Sequence, residues 1–162
     1  MQNKRKQVVN SQKNSMARIQ LHRKSGEYGF EATDQKGYTV RMDTSPETGG
    51  KDFGARPMQL LLMGLGGCSG MDIVSILNKQ RQTVEGFDMT IEGEREKGND
   101  PTLWKTVHII FRLQGTIDPD KAKKACELSM DKYCSVAATL RKADCVISWE
   151  VRVNEKPSTI SK

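Results

Sequence analysis

Four cysteines (Cys68, Cys126, Cys134 and Cys145) and two histidines (His22 and His108) are the residues of this 162-residue chain best able to do chemistry. None of the cysteines forms a C-x-x-C pair, and both histidines sit in strand-like sequence. A structural zinc site draws on closely spaced ligand pairs, so no metal site is expected. The N-terminal segment has no apolar run of the secretory kind, which makes a cytoplasmic, reducing location the expectation. Structural disulfides are then not expected either. What remains is a choice between reactive thiols and plain buried ones.

Cys68 stands apart because of its surroundings. The stretch "RPMQLLLMGLGGCSGMDIVSIL" is apolar nearly all round and places Gly64, Gly66, Gly67 and Gly70 about the thiol. A glycine inside a helix costs roughly 1 kcal/mol relative to alanine. Either the helix breaks here or something approaches its backbone closely. A nucleotide-binding loop fails on the spacing: Ser69 stands where G-x-G-x-x-G needs its third glycine, and Gly50-Lys51 is followed by Asp52. At about 100° per residue, Cys68 shares a helix face with Leu61, Leu65 and Asp72. That gives a half-buried thiol with an apolar floor and a carboxylate one turn away. Such a thiol is either a small core residue or a nucleophile, and Asp72, if close, raises its pKa.

The elements that must carry these residues follow from periodicity. "ARIQLHRK", "YGFEAT" and "YTVRMD" alternate as three short strands, and "TSPETGGKDFGA" reads as a loop. Pro57 suits the first turn of a helix that runs from Met58 to about Gln80. "GFDMTIEGERE" and "KTVHIIFRLQGT" are two further strands. Asp118 caps a second helix with Pro119 at its first position, running through "KAKKACELSMDKYC". "SVAATLRKA" either continues that helix or forms a short one of its own. "CVISWEVRVNE" closes as a strand. Three strands, a helix, two strands, a helix and a strand define an α+β protein on mostly antiparallel sheet. Within this series Cys126, Cys145, Trp104 and Trp149 read as core or interface residues, and His108 as a strand-face residue.

The net charge is +6, with a pI near 9.2. Much of the excess lies in residues 1–16, where no acidic residue occurs, and the composition there is that of a solvated tail. No basic stripe with interleaved aromatics is present, so nucleic acid is not an expected partner. The glycines and Asp72 interrupt the longest apolar run, which argues against a membrane span.

"RPMQLLLMGLGGCSGMDIVSIL", followed some sixty residues later by "SMDKYCSVAATL", resembles the two-cysteine signature of the OsmC/Ohr family of hydroperoxide-handling proteins. The element order is similar as well, over residues 17–154, with 1–16 and 155–162 as tails. The resemblance implies an OsmC-like α+β fold, in which mostly antiparallel sheets wrap two long central helices of an intertwined homodimer. It implies reduction of organic hydroperoxides without a cofactor. Cys68 would be the peroxidatic thiol, Cys134 the resolving thiol, and an external dithiol the reductant. In such a dimer the glycines let the central helices pack closely about the thiol.

The chain departs from the family at one point. Peroxidases of this family activate the thiolate with a glutamate near the start of the central helix and an N-terminal arginine. Here Met58 or Gln59 stands in the glutamate's place, depending on register. Gln59, Asp72, Arg56 and Arg41, with Arg23 near by in sequence, are the candidate substrate-binding or activating residues. The departure favours an alternative: a non-catalytic relative that binds a small apolar ligand or senses redox state through Cys68.

Overall fold

The computed structural model describes residues 16–98 and 100–155. Nearly all of the basic N-terminal tail and of the C-terminal tail lies outside them. The described residues gather into two compact units divided between Pro57 and Met58.

The N-terminal unit is a three-stranded antiparallel meander of β1 (Gln20–Ser25), β2 (Gly29–Thr33) and β3 (Thr39–Met42). Its register sets Leu21, Ala32 and Val40 side by side. The β2–β3 turn is held by Asp34, whose carboxylate accepts the N–H groups of Lys36 and Tyr38. After β3, the loop folds around the buried Asp43. Its two carboxylate oxygens accept the N–H groups of Thr44, Lys51 and Phe53, so the buried charge is fully hydrogen-bonded.

The second unit opens with α1 (Pro57–Lys79). A long hairpin follows, formed by β4 (Thr83–Arg95) and β5 (Trp104–Thr116). Strict alternation buries Val107, Ile109, Phe111 and Leu113 along β5, the pattern of a strand with one face on the core. Leu65, Ile73 and Leu77 of α1 join them in that core.

Two helices then cross back over the sheet. α2 (Pro119–Leu128) begins as expected, with the Asp118 carboxylate accepting the N–H groups of Asp120 and Lys121. It does not stay α-helical to Cys134. A π turn takes Ser129–Tyr133, Cys134 adopts extended backbone, and α3 (Ser135–Lys142) starts afresh. "SVAATLRKA" is therefore a short separate helix, and of the helices only α1 is long.

The crossover also sets the direction of β6 (Val146–Val153), which lies parallel to β5. A parallel neighbour needs such a connection, whereas a hairpin gives an antiparallel one. The mostly antiparallel expectation holds for every other pair of neighbouring strands described.

Glycine serves α1 in two ways. A Cβ at Gly66 would lie 2.8 Å from Ile91 of β4, and one at Gly70 would lie 2.9 Å from Met89, so these two let the helix sit close on the sheet. A Cβ at Gly64 or Gly67 would meet nothing within 4 Å. That outer face also carries Met63 and Met71, which are 58% and 76% exposed. By length and composition α1 could cross a membrane despite its glycines and Asp72. Leu65, Ile73 and Leu77 of the same helix lie in the buried core cluster that also holds the β5 residues.

Candidate functional site

Cys68 lies at mid-helix on α1, half-buried, facing the junction between the π turn and α3. Cys134 occupies that junction and is 3% exposed. The two thiols interact without a disulfide joining them. The structure thus brings together the two cysteines that the resemblance pairs.

The junction has an unusual build. The π turn is closed by the Cys134 N–H donating to the Ser129 carbonyl at 2.8 Å. The Cys134 backbone then extends (φ −69°, ψ 101°), and its sulfur caps α3 by accepting the Ala137 N–H at 3.4 Å. Cysteine is not among the usual capping residues, but its sulfur here fills the place of a Ser or Asp oxygen. Arg141 of α3 donates to the Met130 carbonyl and pairs with Asp131 at 3.5 Å, tying the helix back to the π turn. Buried Ser129 lies 3.3 Å from both the Ser69 carbonyl and the Asp72 carboxylate, tying the same turn to α1.

These contacts fix what surrounds the Cys68 sulfur. The Ser135 hydroxyl lies 4.0 Å from it, at the first turn of α3. Burial pushes the thiol up. The Val136 amide, the Cys134 thiol and the Ser135 hydroxyl and amide outweigh burial and hold Cys68 below the ordinary thiol value. Helix N-termini stabilise thiolates in this way. Cys134 moves in the opposite direction, to about 11, because it is buried and faces Cys68. One thiol is thus poised to ionise beside another held protonated.

The remaining candidates are placed as follows. Asp72 is one turn beyond Cys68 with its carboxylate against Ser129. Gln59 is exposed in the first turn of α1. It lies nine residues before Cys68, which in one helix is half a turn out of phase and roughly 13 Å along the axis. Met58 packs against the core, and its carbonyl accepts the Trp104 indole N–H. In the N-terminal unit, Arg41 pairs with Glu31 and lies over the Phe53 ring, while Arg56 pairs with Asp52 and donates to the Gly54 carbonyl.

Cys126 is fully buried, and burial with the Glu127 charge pushes its thiol up to about 12. Cys145 is also buried, and its thiol is raised by that burial. His108 bonds Ser148 across β5 and β6. Among the described residues no cluster of His, Cys, Asp and Glu is arranged to hold a metal ion. Ser129, Ser135, Val136 and Arg141 escaped the sequence reading. Ser135 ahead of an apolar helix pattern was the one available signal, since serine favours helix starts.

A helix-borne thiol thus faces a second thiol at a helix start, on an α+β frame of two three-stranded sheets. The chain belongs to the OsmC-like protein family, whose profile matches residues 48–150. It is 36% identical over 115 residues to protein YhfA of Escherichia coli K12, covering 70% of this chain and 82% of that protein. A solved structure of a hypothetical protein from Aquifex aeolicus VF5 is 30% identical, with a TM-score of 0.72 over 87% of this chain and 99% of that one. A protein from Legionella pneumophila described as an organic hydroperoxide resistance protein shares the fold at 18% identity, with a TM-score of 0.62 over 86% of this chain and 98% of that one.

Proposed function

We propose that this protein reduces organic hydroperoxides through Cys68 and Cys134 as a homodimer. The observation that supports the reading is the juxtaposition of the two thiols, with Cys68 held below the ordinary thiol value and Cys134 above it. The Cys68 thiolate attacks the terminal peroxide oxygen. The O–O bond breaks, the sulfur becomes a sulfenic acid, and the alkoxide takes a proton from solvent to leave as alcohol. The Cys134 thiol then condenses with the sulfenic acid, releasing water and forming a disulfide. An external dithiol reduces that disulfide by exchange and is itself oxidised.

The dimer reading is supported by the outer face of α1. Gly64 and Gly67 leave open space there beside exposed Leu61, Met63 and Met71. An apolar groove of about 790 Å3 runs along the same side between α1 and β4, with Met71, Val74, Phe87 and Met89 in its walls. Burying such a face against a second copy removes apolar surface that a lone subunit leaves in water. Apolar surroundings beside Cys68 suit fatty or aromatic hydroperoxides better than hydrogen peroxide.

The deciding experiment is stopped-flow oxidation of the reduced protein by cumene hydroperoxide, in wild type and Cys68→Ser. Fast single-turnover oxidation that Cys68→Ser abolishes, with recycling by a dithiol, supports the peroxidase. Oxidation too slow to turn over selects the redox-sensing alternative.

A further inference from the structure

We propose that the Ser135 hydroxyl, at the start of α3, is the donor that holds the Cys68 thiolate, in place of an arginine–glutamate pair. The proposal rests on Cys68 being the reactive thiol and adds how this chain activates it.

The argument is geometric. The first turn of any α-helix has N–H groups without intrahelical partners. In α3 the Ala137 N–H is taken by the Cys134 sulfur at 3.4 Å. The Ser135 and Val136 amides favour the charged form of Cys68. Ser135 adds a hydroxyl 4.0 Å from the same sulfur, within reach of a sulfur hydrogen bond. The hydroxyl and these amides all belong to the first turn of α3. They are held in position by the π turn, by Arg141 on Met130 and by Ser129 on α1. On the elements packed about Cys68, the π turn carries Asp131, Lys132 and Tyr133, α3 carries Arg141 and Lys142, and α1 carries Asp72 and Lys79; Cys134 at the junction is the titratable group that acts on the thiol. A hydroxyl is neutral, so this arrangement stabilises the thiolate without importing a buried cation that would need its own partner.

Ser135 is exposed, so its substitution is an ordinary surface change for the fold. The test is the pH profile of Cys68 alkylation by iodoacetamide in the full reduced chain, followed by mass spectrometry of the Cys68 peptide. The wild-type inflection is expected below the free-thiol value of about 8.5. Ser135→Ala should move it upward and lower the pH 7 rate about fivefold. Ser135→Thr keeps the hydroxyl and should restore most of the rate. Ser135→Asp keeps a residue that favours helix starts but sets a negative charge beside the sulfur, and should move the inflection higher still. Circular dichroism confirms that each variant folds. A Ser135→Ala profile that overlays wild type, or a Ser135→Thr profile no better than Ser135→Ala, overturns the proposal. Alkylation uses no peroxide. A Cys68 that ignores hydroperoxides therefore defeats the peroxidase reading and leaves this profile to be judged separately.

Discussion

The Ser129 hydroxyl lies 3.3 Å from the Asp72 carboxylate, bridging the start of the π turn to α1 one helical turn beyond Cys68. The same hydroxyl lies 3.3 Å from the Ser69 carbonyl, so its one proton serves one acceptor at a time. The Asp72 charge consequently remains available to act on its neighbours. A negative charge one turn from a thiol disfavours the thiolate. Asp72→Asn keeps an acceptor for Ser129 and removes the charge. The expected outcome is about a twofold faster alkylation of Cys68 at pH 7, with thermal stability close to wild type. A slower Cys68 would show that the carboxylate supports the thiol by another route.

The two pairs of glycines on α1 should respond differently to substitution. Gly67 has open space where a side chain would go, and alanine is the better helix former by roughly 1 kcal/mol. In an isolated chain Gly67→Leu should be harmless. If a second copy packs on this face, Gly67→Leu should shift sedimentation from dimer toward monomer while secondary structure persists. Gly66→Leu should instead lower the melting temperature, since a Cβ there already crowds Ile91 at 2.8 Å. A wild type that sediments as a monomer near 18.2 kDa at micromolar concentration removes the dimer from the reading.

The four thiols should react in a fixed order set by their ionisation. Cys68 is held below the ordinary thiol value, Cys134 is pushed up to about 11 and Cys126 to about 12, and Cys145 is raised. Only the thiolate is nucleophilic, so between pH 6 and 8, roughly, alkylation should fall almost entirely on Cys68. Raising the pH should bring the Cys68 rate to its plateau before that of the other three. After limited hydroperoxide treatment, peptide mapping should find a Cys68–Cys134 bridge with Cys126 and Cys145 free. A dominant bridge to Cys126 would contradict the placement of that thiol in the core.

The boundaries of α1 and the capped start of α2 were legible because Pro57, Asp118 and Pro119 have local, steric reasons to be where they are. The common face of Cys68 and Asp72 was likewise legible, since an uninterrupted helix has a fixed angular step. The junction was not. A π turn adds one residue without disturbing the apolar pattern, so nothing in "SMDKYC" separates it from continuing α-helix. A cysteine that caps a helix carries no cap signal either, because its sulfur takes that role only when the chain around it is already extended. The direction of β6 was equally hidden: "VISWEVRV" alternates the same way whether it runs with β5 or against it. Activation of Cys68 was sought among arginines, as the resemblance directed, while the donors stand on the element that carries the other thiol.

Oxidation should loosen the start of α3, and this follows from the double use of its first turn. In the reduced chain the Cys134 sulfur accepts the Ala137 N–H, and the Ser135 and Val136 amides favour the charged form of Cys68. A Cys68–Cys134 disulfide removes the negative charge those amides favour and turns the capping sulfur toward a covalent partner. Losing a cap costs about 0.5–2 kcal/mol. α3 has eight residues and little reserve against fraying. The amides of Ser135, Val136 and Ala137 should therefore exchange with solvent faster in the oxidised protein, by about tenfold for a loss near 1.4 kcal/mol. The amides of α1 should not follow, because the cross-link restrains the chain as a whole. Cys134→Ser supplies the control: serine caps the helix well and forms no bridge, so any change in its α3 exchange with hydroperoxide reports loss of the Cys68 charge alone and should be smaller than in wild type. Hydrogen exchange read by mass spectrometry on the peptide spanning α3 decides the matter. Equal or slower exchange on oxidation would mean that the disulfide forms without disturbing the cap, and that the two roles of this turn are independent.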